Sequence, residues 1–344
     1  MHHAEIGGYL ELEHFDGREY HEGAVCLNAA RSCLLYLLEA RGVQSIWIPM
    51  YLCDSVGESC KAAGVAIRTY DVTKDFKPDY HTINLTAGDY LYLVDYYGQL
   101  DKKDVLAARD ACEGRLVLDE VQAFFRRPLP GIDTIYCCRK FFGVPDGGYL
   151  YTDAHLERKL PQARSSQHMV HVLGRMDDGA NAHYGEYSAS ERLFGTEPVA
   201  AMSELTHNLL RAIDYQAVAD ARLRNFSLVS ERLGSRNELA PIARPGAYMY
   251  PFLTRDASPI RKAMQQRKVY VPTLWPGSAS LEGMSGRLSR DILPLPIDQR
   301  YGADDMTYMC DLLLELLDER ADATQARPTA LADPDVHKPR RLGQ

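Results

Sequence analysis

Residues 132–148 run Ile132-Asp133-Thr134-Ile135-Tyr136-Cys137-Cys138-Arg139-Lys140-Phe141-Phe142-Gly143-Val144-Pro145-Asp146-Gly147-Gly148. The branched and aromatic residues at its start predict a short strand. Lys140 follows it, inside an aromatic and glycine-rich turn, and the next strand is predicted over Gly148–Thr152. The paired glycines Gly147 and Gly148 let the backbone approach a ligand closely.

Upstream, short strands alternate with helices. Strands are predicted over Ser45–Pro49, Val65–Tyr70, Tyr90–Val94 and Arg115–Leu118, and helices over Ser32–Ala40, Ser55–Ala63 and Asp104–Cys112. This alternation implies an α/β fold with a largely parallel sheet flanked by helices. Ligands bind such sheets beyond the carboxyl ends of the strands, where Asp95, Tyr96 and Asp119 fall. Residues 154 to about 235 read as mainly helical, with a long amphipathic stretch over Leu209–Leu233. Strands are then expected near Ala247–Phe252 and Lys268–Pro272, and a helix over Asp304–Leu317. The expected organisation is an N-terminal arm (1–22), a large domain (23–210), a smaller C-terminal α+β domain (211–321) and a disordered tail (322–344).

The chain has 344 residues, 46% hydrophobic and 25% charged, as in ordinary globular proteins. Its net charge of −8 argues against nonspecific binding to nucleic acid or to anionic membranes. No apolar run approaches the roughly 20 residues of a membrane span. The N-terminus lacks the features of a signal peptide, so cytoplasmic residence is the expectation. The eight cysteines form no C-x-x-C pair and show no zinc-type spacing, so no metal site is expected and they read as free thiols.

Several residues are suited to chemistry. A lysine in the position of Lys140 can form an imine with an aldehyde, provided that its pKa is lowered and the aldehyde's carrier is bound; a surface lysine is the competing reading. Asp119 ends an apolar strand. A rigid, partly buried carboxylate there suits the protonated pyridine nitrogen of pyridoxal phosphate (PLP), although taken alone a cap or loop acid is the favoured reading. Glu120 is expected on the opposite face. The Gln122 amide suits the cofactor's phenolic oxygen, or is a surface glutamine. Arg31 and Ser32 open a helix whose N-terminus suits a phosphate; a plain cap at Ser32 competes. Cys137 precedes Lys140 by one helical-turn spacing and is a weak donor. Tyr51 and Cys53 both follow Pro49, where a residue stacking on the ring is sought. Tyr96 and Trp275 suit the substrate side or ordinary packing. Arg222, Arg224 and Asn225 read as helix-surface and interface residues.

The segments LNAARSCLLYLL, VDYYGQ, LDEVQAFF, YCCRKFFGVPDGG, MSELTHNLL and LPLPIDQRYGADDM occur in order over roughly residues 5–320. Together they resemble the DegT/DnrJ/StrS-type PLP-dependent sugar aminotransferases of fold type I. The resemblance implies that Lys140 is the Schiff-base lysine, that Asp119 faces the pyridine nitrogen and that Gln122 lies over the cofactor. It also implies an amino-acid donor of the glutamate or glutamine type, a keto-sugar or similar carbonyl acceptor, a role in nucleotide-sugar or polysaccharide biosynthesis, and a homodimer. The related dehydratases carry histidine in place of the lysine, so Lys140 argues against them. Other PLP chemistry on a non-sugar substrate and a non-catalytic PLP fold are the alternatives. The chain is a divergent match. Ala30-Arg31-Ser32 replaces the family's glycine-threonine, and Cys137 replaces its serine. Gly195-Thr196-Glu197-Pro198 stands where a neighbouring subunit's Gly-x-Asn-x-Arg motif is expected.

Overall fold

The computed structural model describes residues 6–325, with side chains to residue 322. The chain lays down β1 (Val25–Leu27), α1 (Ala30–Arg41), β2 (Ser45–Pro49), α2 (Asp54–Ala62), β3 (Ala66–Tyr70), β4 (Tyr90–Val94), α3 (Lys102–Ala111), β5 (Leu116–Asp119), β6 (Asp133–Cys137) and β7 (Gly148–Tyr151). These strands form one seven-stranded sheet in the order β1-β7-β6-β5-β4-β2-β3. The run from β3 to β6 is parallel, and β7 and β1 add antiparallel strands at one side. Every residue of β5 and β6 is buried, as expected of central strands covered on both faces.

Local signals set the connections. Helix α1 stops at Gly42, whose φ of 61° places it in the left-handed region that glycine tolerates. Helix α3 starts with a reciprocal capping box between Asp101 and Asp104.

Beyond the sheet follow α4 (Val170–Asp178), α5 (Tyr184–Phe194), α6 (Glu204–Arg211) and α7 (Tyr215–Leu233). The stretch expected as one helix over Leu209–Leu233 is broken. Asp214 adopts a non-helical conformation and accepts from Ala217 N at 2.9 Å, starting α7 afresh. Residues 154–165 are not helical. Next come β8 (Met249–Leu253), α8 (Ala257–Gln266), α9 (Gly283–Asp291), β9 (Ile292–Pro296) and α10 (Ala303–Gln325). Lys268–Pro272 is not a strand: Lys268 has φ 62°, a left-handed conformation that leaves helix α8 rather than starting a ladder. The partner of β8 is β9, in antiparallel register with Pro251 opposite Pro294. Prolines lack a ladder donor and suit a two-stranded ribbon in which both strands are edges.

The largest core cluster joins the sheet to α1 and α2. A second joins β8 and β9 to α7, α8 and α10 through Phe226, Phe252, Met264 and Leu313. A third, aromatic cluster of Phe124, Tyr136, Phe141, Phe142 and Tyr149 lies beside Lys140. The expected tail at 322–344 lies outside the described residues from 326 onward, and its first residues continue α10 to Gln325. The first five residues of the expected arm also lie outside them. Among the described residues no helix is long and apolar enough to cross a membrane.

Candidate active site

Asp119 closes β5 and is 3% exposed. It accepts from Tyr92 Oη at 2.7 Å and from Val121 N at 2.9 Å. Burial pushes its pKa up. Tyr92, Val121 and Lys140 pull it down without fully offsetting that push. Strand alternation places Tyr92 on the same side of the sheet as Asp119, and so aims the phenol at the carboxylate. Glu120 points the other way, as expected, toward Arg126, whose Nε is 3.7 Å from it.

Lys140 follows β6 in a tight turn closed by Phe141 N and Phe142 N, each 3.0 Å from Cys138 O. It is half-buried, with Nζ 5.6 Å from the centroid of the Tyr248 ring. Burial lowers its pKa. Tyr248, Cys137, Cys53 and Asp119 raise it, and the net shift is upward. The lowered lysine pKa required from the sequence is thus absent in the protein alone. Lys140 is held toward its ammonium form.

Gln122 is buried, and its Oε1 accepts from Tyr97 N at 2.8 Å. Its Nε2 has no partner among the described residues. A buried amide with a free donor is costly unless something fills the space before it.

Gly148 lies against the start of α1. A Cβ there would stand 2.7 Å from Ala29 C and 2.8 Å from Ala30 N, so only glycine allows this approach. Asn28 organises the same junction. Its carbonyl accepts from Gly147 N at 2.9 Å, and its side chain bonds Pro198 O and Ala200 N at 3.2 Å each. Helix α1 begins two residues earlier than expected, and Ala29 at its N-cap supplies no side-chain bond. Ser32 is therefore not the cap but a buried residue of the first turn. Arg31, in the same turn, has no hydrogen bond or ion pair among the described residues. Arg139 pairs with Glu191 and lies 4.0 Å over the Phe194 ring. Cys137 ends β6, buried, opposite Gly148 in the ladder.

Tyr51, Tyr96 and Trp275 form one cluster. The Tyr51 ring stacks on Tyr96 at 5.3 Å and meets Trp275 edge-on at 4.5 Å. Tyr96 Oη donates to Tyr51 O. Burial pushes the Tyr51 and Tyr96 phenols up. Trp275 thus packs against both tyrosine rings. Cys53, exposed before α2, is within Coulombic reach of Lys140.

Sequence reasoning missed three contributors. Tyr92 was visible only as a strand residue. Tyr248 comes from a distant segment and carries no local signal. Arg222 is buried rather than on a surface: it lies 4.6 Å over the Phe141 ring and donates to Ala247 O at 3.0 Å and Tyr248 O at 3.1 Å. It thereby ties both neighbours of Lys140 together. Asn225 is buried too, donating to the carbonyls of Ile297, Asp298 and Tyr301.

No family model matches the chain, and no curated protein does. Solved structures do. DesV of S. venezuelae, crystallised in complex with a ketimine intermediate, is 18% identical with a TM-score of 0.61, covering 85% of this chain and 84% of that one. The sugar aminotransferase CalS13 of Micromonospora echinospora is 15% identical with a TM-score of 0.59, over 85% and 87%. NtdA of Bacillus subtilis, with bound cofactor PMP, is 12% identical with a TM-score of 0.63, over 86% and 73%. The likeness spans most of both chains in each case, and the fold is that of the fold type I aminotransferases.

Proposed function

We propose that this protein is a PLP-dependent aminotransferase that moves an amino group from an amino-acid donor of the glutamate or glutamine type to a keto-sugar or similar carbonyl acceptor. The observation that carries the reading is the buried carboxylate of Asp119 at the carboxyl end of β5, beside the strand β6 that leads into Lys140 and within Coulombic reach of that lysine. The residues present fit the cofactor. Gln122 Nε2 is a buried donor without a partner, and the glycine cradle at Gly148 opens the start of α1 to close approach.

When bound, PLP supplies the electron sink for the bond broken at the substrate carbon. Asp119 holds a proton on the pyridine nitrogen, and Tyr92 and Val121 N fix the carboxylate that does so. Gln122 Nε2 would donate to the phenolic oxygen. The α1 N-terminus, with Arg31, Ser32 and Cys137, receives the phosphate. Lys140 would be the residue that holds the cofactor by its aldehyde and, as a free amine, would carry the proton at the substrate carbon. Tyr51 backs the ring's surroundings, and Tyr96 and Trp275 border the substrate side.

On this reading residues 23–210 form the cofactor-binding domain and 211–321 the smaller domain that covers it. The protein acts in nucleotide-sugar or polysaccharide biosynthesis in the cytoplasm as a homodimer. Exposed Leu173 and Met176 on α4, with Tyr184 on α5, give an apolar face suited to a second copy.

The test is spectroscopic. Purified protein supplied with PLP should show a visible band that disappears in Lys140→Ala. Glutamate or glutamine should bleach the band, and a keto-sugar should restore it while mass spectrometry detects the amino-sugar. Absence of any band ends the cofactor reading. A band that persists with every amino donor ends the transaminase reading.

A further inference from the structure

Two carboxyl groups are buried together at the ends of β4 and β5, on the sheet face turned away from Asp119. Asp95 has no exposed surface, and Glu120 is 3% exposed. Among the described residues each keeps one oxygen without a hydrogen-bond partner, Asp95 Oδ2 and Glu120 Oε2. One guanidinium serves both: Arg126 Nε lies 3.4 Å from Asp95 Oδ2 and 3.7 Å from Glu120 Oε1. Its other nitrogens are committed to Gly98 O at 3.3 Å and Leu100 O at 2.7 Å. The remaining charged or titratable groups near the pair are Arg244 beside Asp95, and Asp119 and Tyr136 beside Glu120. Arg244 is already engaged by Asp101 at 2.7 Å.

Two buried carboxylates against one shared guanidinium leave an uncompensated charge in a dry site, a costly arrangement. A single proton held between the acids removes that charge and gives both orphan oxygens a partner at once.

We propose that Asp95 and Glu120 share one proton, and that this bridge, neutral together with Arg126, positions Asp119 and Gln122 toward the cofactor. The positioning half rests on the reading of those two residues as cofactor-holding. Glu120 lies between them in the chain. Asp95 N donates to Asp119 O at 3.0 Å, and Asp95 Oδ1 accepts from Leu100 N at 2.8 Å. Two residues after Asp95, Tyr97 N holds Gln122 Oε1 at 2.8 Å. The bridge therefore clamps the two strand ends from which both cofactor-facing side chains are hung.

The electrostatics agree with the geometry. Burial pushes the Asp95 carboxyl up to about 6. It pushes Glu120 well above the usual carboxylate range, with the Asp95 charge adding to the effect. Both pKa values are raised in the folded state, so the bridge stabilises at low pH and its contribution is lost as pH rises through the pair's titration. Full ionisation sets two charges against each other and loosens the hold on Gln122.

The experiment has two readouts on the full chain. Infrared spectroscopy without added PLP, from about pH 6 to about pH 9, should show a protonated-carboxyl band in the wild type. That band should be absent at neutral pH in Glu120→Gln and in Asp95→Asn. PLP affinity, titrated by absorbance over the same range, should fall on the alkaline side in the wild type by up to roughly tenfold per pH unit. It should be flat there in Glu120→Gln, or in Asp95→Asn where the first variant does not fold. A wild type lacking the carboxyl band overturns the shared proton. Variants that keep the wild-type alkaline fall overturn the positioning role. A wild type that shows the band but binds no PLP overturns the cofactor reading and the positioning role together, while leaving the shared proton standing.

Discussion

Two buried aspartates sit at opposite ends of the same sheet and are treated in opposite ways. Asp89 precedes β4 at the amino end and is 2% exposed; Asp119 ends β5 at the carboxyl end and is 3% exposed. Asp89 is saturated with donors: Thr86 N and Oγ1 at 2.8 Å each, Arg68 Nη1 at 2.6 Å, Trp47 Nε1 at 3.2 Å, and Ser45 Oγ. Burial pushes its pKa up, yet the bonds from Ser45, Thr86 and Trp47 outweigh that and hold it well below the usual carboxylate range. Asp119 has two donors and a net upward shift. The amino end thus uses its acid to bind the sheet together. The carboxyl end keeps its acid under-satisfied, with capacity left for a further donor. Gln122 Nε2, buried without a partner among the described residues, extends that second pattern.

The largest expected effect separates the two acids by function. Asp119→Asn removes the carboxylate that keeps a proton on the pyridine ring, so turnover should fall by about 10²–10³-fold, with the fold intact by circular dichroism. Asp89→Asn should leave turnover of the folded protein near wild type. An Asp119→Asn enzyme that retains full activity would break the comparison.

Stability should show the reverse. Asp89→Asn places an amide donor among five donor groups and should cost about 2–3 kcal/mol in urea unfolding. Asp119→Asn should cost little. The signs differ with pH as well. The depressed pKa of Asp89 gives stability that is present above the usual carboxylate pKa and is lost as pH falls through the folded value. The raised pKa of Asp119 gives stability that is present at low pH and lost as pH rises through its folded value. Unfolding midpoints followed against pH should therefore show Asp119→Asn gaining on the wild type on the alkaline side, and Asp89→Asn losing most above the usual carboxylate range.

A smaller effect is expected at Gln122. Gln122→Leu keeps roughly the volume but removes both the free donor and the acceptor for Tyr97 N. PLP affinity should fall by about tenfold, measured by absorbance titration. Unchanged affinity would mean that the orphan amide faces protein rather than ligand.

The two ends also differed in how far the sequence could be read. The strands Ser45–Pro49 and Tyr90–Val94 were legible to the residue, because apolar branched runs bounded by turns have few other uses. The opposite facing of Asp119 and Glu120 followed from strand alternation. What escaped depends on distance or on a single torsion. Tyr248 and Arg222 reach Lys140 from segments whose local pattern says nothing of that neighbourhood. Lys268–Pro272 is apolar and alternating enough to suggest a strand, yet one left-handed residue after α8 and a better partner in β9 decide otherwise. The donors that saturate Asp89 come from three segments, so its role was not visible from its flanks.

The smallest effect tests the phosphate side of the carboxyl end. Cys137 is buried at the end of β6, opposite Gly148, which itself packs against the start of α1. A thiol is a weak donor and a hydroxyl a good one of nearly the same shape. With an anion seated at the α1 N-terminus, Cys137→Ser adds one charge-assisted hydrogen bond and should raise PLP affinity by roughly threefold to tenfold. With no anion there, the same hydroxyl is buried with nothing to donate to, and the substitution lowers stability without changing affinity. The two outcomes move different measurements, PLP titration in one case and urea unfolding in the other. The variant therefore decides whether the unpartnered polar groups of the carboxyl end extend as far as the start of α1 or stop at Gln122.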